Sequence, residues 1–480
     1  MEPGWRWVRG AVLGLALFGL LAHALALLLW PVPAVLLPLS VAVGVFLAGV
    51  ALPAALPGAG PPPRWLTGLV LAVTAFALAV VGHGAVATAE REWDGVVSWG
   101  LRARVLADPR GLDQPFFTDP GVYHHSRAYP LLQPFALAAM LQLLGNGGRI
   151  LFPLLHMLLA ALAGLAVARR GAPQGVALLA AVGVALLPAL VGNGGGGVDS
   201  GYAELLMTLA LSGVLAALLL DDHLLLGAAA FLLPLAKPEG TVYAAALVAL
   251  TTWTGPRARH GAATLGATLA FALWLPLQQR LTTFAAPGPV PALAALGVGA
   301  LALAAGELRA RLTPRTLALF GGIALLGGVA AIAWLLPWLR TRPDVLVAQY
   351  LGGADRLPAR LMRLPEILGG LLAQALHPRR FGTCYLLLAA LALTRRRIVG
   401  RCPSRPALAF LGCGLLSVVA AFLLSPEPDV RHHLRSSATR LLLHWAVPAW
   451  LLATAWLAER LLDAAHAPRW LIGGTDTGRR

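Results

Sequence analysis

Residues 131–145 read LLQPFALAAMLQLLG, and whether this run crosses a membrane decides on which side every later loop lies. The chain around it is strongly apolar. Of its 480 residues 58% are hydrophobic and 12% charged, about half the charge fraction of an ordinary soluble protein. Apolar runs recur near 10–30, 33–54, 66–89, 150–168, 174–192, 203–220, 224–236, 240–254, 262–277, 292–305, 316–337, 383–394, 407–424 and 441–458. Many are long enough for a hydrocarbon core of about 30 Å. The pattern predicts an all-α polytopic membrane protein with about 12–14 transmembrane helices and no soluble domain between them.

Basic residues decide the case of 131–145. If the run only dips into the membrane and the N-terminus is cytoplasmic, five clusters face the cytoplasm: Arg169-Arg170, Arg257/Arg259, Arg309/Arg311/Arg315, Arg395–Arg397 and Arg479-Arg480. If it crosses, all five face outward, against the tendency of Lys and Arg to stay inside. The run is therefore read as a membrane-embedded helix at the outer face. Residues 90–149, 193–202, 338–382 and 425–440, with the turn at Lys237–Gly240, then form the outer loops. They gather most of the acidic residues and the pairs His124-His125 and His432-His433. The first run, preceded by basic residues, is too long for a signal-peptide core and reads as an uncleaved helix. Residues 1–65 contribute two helices, 66–458 the main membrane domain and 459–480 a cytoplasmic tail.

The formal net charge of +16 does not indicate a nucleic-acid partner, because the arginines sit mainly at the ends of apolar runs, where topology signals belong. Three cysteines, Cys384, Cys402 and Cys413, show neither a disulfide framework nor zinc-ligand spacing. Adjacent histidines project in different directions on a helix, so no metal site is assigned.

Four outer stretches carry polar chemistry. In EWDGVVSWGLRAR, Asp94 follows a span and is flanked by Trp93 and Trp99, with Arg102 at helical spacing. The tryptophans suit an interface belt, yet a carboxylate at the mouth of an apolar cavity also suits a general base. In GNGGGGVDSGYAELLMTL, Asp199 reads as a helix cap and Glu204 as an acid one turn into the helix, where it must face a polar cavity. PLAKPEG holds the only lysine, Lys237, a compact charge suited to phosphate. SPEPDVRHHLRSSATRLLLHWAVP places Arg431, Arg435 and Arg440 outside, with Arg440 directly before the last span. An anionic ligand or snorkelling to headgroups accounts for arginines there.

Taken in order, WDGVVSWGLRAR, HHSRAYPLLQP, GYAELLMTLAL, LAKPEG and HLRSSATRLLLHWAVP resemble the polytopic C-type-fold glycosyltransferases that use polyprenyl-phosphate-linked sugars. Protein O-mannosyltransferases and lipid A aminoarabinose transferases belong to that superfamily, and the match is closer to a bacterial branch. The resemblance covers about residues 66–458 and implies short juxtamembrane helices in the first outer loop. It further implies Asp94 and Glu204 as catalytic acids, the second replacing the Asp usual in related sequences. Arg440, Lys237 and Arg435 would hold the donor phosphate. Trp93, Trp99, Arg102, His125, Tyr129, Asp199 and Tyr202 would line the substrate cavity. The implied reaction is transfer of a sugar from a polyprenyl phosphate to a glycan, lipid or protein acceptor on the outer face of the bacterial inner membrane, with inversion. No permanently bound cofactor is implied, and a divalent metal is left undecided. A lipid-carrier flippase or transporter, or a non-catalytic subunit that binds the lipid carrier, is the competing expectation. Transporters place paired charges at mid-depth in repeated halves, which this sequence does not show.

Overall fold

The computed structural model describes residues 2–48, 64–87, 92–122, 124, 126–191, 197–284, 288–309, 311, 357–394, 405–425, 427 and 429–466. His125, the 316–337 run, the first part of the 338–382 loop, Arg395–Arg397 and the end of the tail lie outside the described residues. Among the described residues the regular structure is entirely helical.

Among the described residues, six helical stretches are long and apolar enough to cross a membrane: Gly4–Leu27, Leu132–Arg169, Arg257–Thr283, Val290–Arg309, Arg405–Leu424 and Val430–Leu462. The sequence expectation of about 12–14 also counted shorter apolar helices such as Gln174–Ala185 and His223–Ala236. Leu132–Arg169 is not one rod. As a straight α-helix it would measure about 57 Å, nearly twice the bilayer core. It breaks at Gly145, whose φ of +56° is a conformation that a side chain disfavours. The piece before the break, Leu132–Leu144, has 13 residues, about 20 Å, and is too short to span. It packs on the loop helix Leu101–Ala107, and residues 132–139 are all buried.

The centre of the bundle is Glu204–Leu220, in which every residue but the last is buried. Hydrophobic all round, it has the pattern of a helix enclosed by others. It packs against Leu151–Arg169, His223–Ala236 and the final helix, Val430–His466. The first helix, Glu2–Leu27, lies on His223–Ala236 and Arg257–Thr283, and its Trp5, Val12 and Phe18 join the same hydrophobic core. The core is thus continuous across the 65/66 line drawn in the sequence.

One expected boundary is corrected. Residues 425–440 are not a loop ending at Arg440, because the final helix begins at Val430 and runs for 37 residues. Val430, Leu434, Ala438 and Leu441 are buried while Arg431, His432, Arg435 and Ser436 are exposed. This amphipathic opening averages out as polar in a hydropathy window, although its apolar stripe docks like any other.

Candidate functional site

The acidic motif of the first loop lies on a short π-helix, Asp94–Gly100, that continues into the α-helix Leu101–Ala107. Gly95 explains how this element reaches the core. A Cβ at that position would sit 1.8 Å from the Ser200 carbonyl oxygen, so only glycine lets the π-helix seat on the 197–203 loop. Behind the contact, Trp99, Tyr202 and Ala203 pack together, with Tyr129 against them. Arg102 is fully buried. Its guanidinium lies 4.6 Å from the Trp99 ring centroid and donates to the carbonyls of Ser98 at 2.7 Å and Tyr129 at 2.9 Å. Arg102 therefore ties the two ends of the loop together and forms the wall of the site.

Two ion pairs stand on this wall. Arg440 Nη1 donates to Asp94 Oδ2 at 2.5 Å, and the Arg440 guanidinium lies 5.2 Å from the centroid of the Tyr202 ring. The Tyr202 hydroxyl donates to Glu92 Oε2 at 3.3 Å. Burial raises the Tyr202 pKa above the ordinary phenol value, which keeps the hydroxyl a donor. Lys237 Nζ donates to Glu204 Oε1 at 3.0 Å and lies 3.6 Å from Glu239 Oε1. Burial works against the Lys237 charge, but Glu204 and then Glu239 outweigh it and raise its pKa above the ordinary lysine value. Arg440 is within electrostatic reach of both Glu204 and Lys237, so the two pairs form one cluster. In it the carboxylates of Glu92, Asp94, Glu204 and Glu239 outnumber the two cations, Lys237 and Arg440.

The structure thus brings together Asp94, Glu204, Lys237, Arg440 and Tyr202, with Trp99, Arg102 and Tyr129 behind them. It separates others. Trp93 is 70% exposed against 3% for Trp99, so Trp93 does not line an enclosed cavity. Arg435 is exposed and sits five residues before Arg440, about 140° around the helix; the two do not form one phosphate clamp. Arg440 is not at a helix start, being ten residues inside the final helix. Arg431 pairs with Glu366 at 2.5 Å. Glu204 is the first residue of its helix and not one turn inside it. Asp199 does not cap that helix, whose N-cap is Ala203 with no side-chain bond.

Sequence reasoning missed Glu92, Glu239 and His444. Glu92 stands two residues before Asp94 and Glu239 two after Lys237, a signal of sorts. His444 sits inside the run read as the last span. Among the described residues no group of three or more His, Cys, Asp or Glu is arranged to hold a metal ion. No family model and no curated protein matches the chain.

Proposed function

We propose that the chain is an integral membrane glycosyltransferase that moves a sugar from a polyprenyl phosphate to a cell-envelope acceptor at the outer face of the bacterial inner membrane. The observation that carries this reading is the contact of Asp94 with Arg440, residues 346 apart in sequence, beside the Glu204–Lys237 pair. A displacement at an anomeric carbon needs a carboxylate base and a phosphate-binding cation in one site, and these are the residue types brought together. An apolar groove lined by Val248, Ala249, Phe271 and Val298 offers a path for a prenyl chain. Its wall, the helix Glu239–Thr254, also carries Glu239 of the charged cluster.

In this reading the donor phosphate competes with Asp94 for Arg440. The guanidinium fork moves onto the phosphate and Asp94 is left free to accept a proton. The acceptor hydroxyl gives its proton to Asp94, and its oxygen bonds to the anomeric carbon. The bond from that carbon to the phosphate oxygen breaks, and the lipid phosphate leaves with the electron pair. The transition state resembles an oxocarbenium ion, and the single displacement inverts the centre. Arg440 and Lys237 stabilise the charge that grows on the leaving phosphate.

The test is transfer of sugar label from polyprenyl-phosphate hexoses and pentoses to envelope extracts by the purified chain in vesicles. Transfer by the wild type and its loss in Asp94→Asn support the proposal. Equal transfer by Asp94→Asn overturns the assignment of the base. Label that flips between leaflets without being transferred favours the carrier reading.

A further inference from the structure

His444 lies on the final helix one turn beyond Arg440, on the same face. It is fully buried, and neither ring nitrogen meets a protein partner. Pro448 stands four residues later in the same helix and has no N–H to give the His444 carbonyl its helical bond. Both nitrogens of one buried ring thus lack the partners that buried groups normally have. The surroundings are specific. The Tyr243 ring lies edge-on at 6.4 Å, and Thr208 Oγ1 reaches the carbonyl of neighbouring Leu443 at 3.5 Å. Thr208 is one turn along its helix from Glu204, whose Oε2 is likewise buried without a partner. The ring is fully buried one turn from the Arg440 cation, where enclosing a further positive charge is costly, so a neutral ring is the form that fits there.

We propose that His444 is a binding residue at the floor of the charged cluster, where its neutral imidazole holds one hydroxyl group, either of a sugar or of a fixed water. A neutral ring both donates and accepts, which matches a hydroxyl and not a second phosphate oxygen. Only the sugar alternative rests on the glycosyltransferase reading.

The test compares thermal unfolding of the full chain in detergent for the wild type, His444→Leu and His444→Gln. Each is measured alone, with polyprenyl phosphate, and with polyprenyl-phosphate hexose. If the hydroxyl is a fixed water, His444→Leu unfolds about 2–4 °C below the wild type without any ligand. His444→Gln, which keeps a donor and an acceptor, then recovers at least half of the loss. If the hydroxyl belongs to the sugar, the leucine variant unfolds no lower than the wild type without ligand. The hexose-bearing lipid then stabilises the wild type more than the variant, while the bare lipid phosphate stabilises both alike. The inference is overturned if His444→Leu unfolds no lower than the wild type and gains as much from the hexose lipid, since removing a stranded imidazole is then neutral or stabilising. If no lipid stabilises the wild type, the sugar alternative fails with the glycosyltransferase reading, and the ligand-free comparison alone decides.

Discussion

The two ends of the Glu204–Leu220 helix both carry buried charge, and they use it differently. At one end Asp222 and Arg9 make two parallel contacts, at 3.0 and 2.8 Å, with side chains 1% and 2% exposed. Arg9 also donates to the Ala48 carbonyl, and Asp222 caps Leu225 N–H. About 25 Å away along the helix, Asp94 and Arg440 share one contact and stay 33% and 24% exposed. Buried atoms without a hydrogen-bond partner occur at both ends, Glu204 Oε2 and Glu239 Oε2 here and Arg9 Nε and Asp222 Oδ2 at the other. Buried charge as such therefore does not mark a site in this molecule. What distinguishes the Asp94–Arg440 cluster is its partial exposure, which leaves its charged groups within reach of a ligand.

The comparison breaks first at Asp94. Asp94→Asn is expected to lower sugar transfer by roughly 10²–10⁴-fold with little change in thermal unfolding; a variant that loses folding instead would put both ends in the same structural class. Asp222→Asn is expected to do the reverse. It leaves Arg9 buried with half its partner, a change that costs about 3–5 kcal/mol in comparable pairs. Chemical unfolding reads that loss, and replacing both residues by apolar ones should recover much of it. Lys237→Met strands two carboxylates and is expected to reduce both folding yield and transfer, whereas Lys237→Arg restores the yield first. Arg440→Lys keeps the charge but loses the planar fork, so turnover should fall about tenfold while the amount of folded protein in the membrane holds. The smallest effect belongs to Arg435→Ala, expected within about 0.5 kcal/mol of the wild type in stability and unchanged in transfer. An Arg435 effect as large as that of Arg440 would mean that the phosphate is bound from the surface side.

Much of this was legible in the residues. Apolar runs announce the helices, and Asp94, Glu204, Lys237 and Arg440 stand out as polar groups in apolar surroundings. The rest depends on helical phase, which composition does not reveal. Trp93 and Trp99 flank Asp94 alike in the sequence, yet the turn of the π-helix exposes one and buries the other. Arg435 and Arg440 differ only by rotation about a helix whose start hydropathy hides. His444 was unreadable because a single histidine in an apolar run is most often a satisfied core residue. Only its neighbours in space show that no protein group satisfies it.

The π-helix at Asp94–Gly100 also constrains how this chain can change over generations. Its bonds skip one residue more than those of an α-helix, so the stretch holds a residue that an α-helical version would not need. Loss of one codon from 96–99 would leave the apolar profile, the charge count and the order of helices untouched. Because an α-helical version makes the same turns with one residue fewer, Asp94 would keep roughly its facing relative to Leu101–Ala107, while the backbone around Gly95 would have to re-seat against Ser200. A reading-frame-preserving deletion there thus separates the facing of the acid, which it leaves, from the seat of the wide turn on the 197–203 loop, which it disturbs.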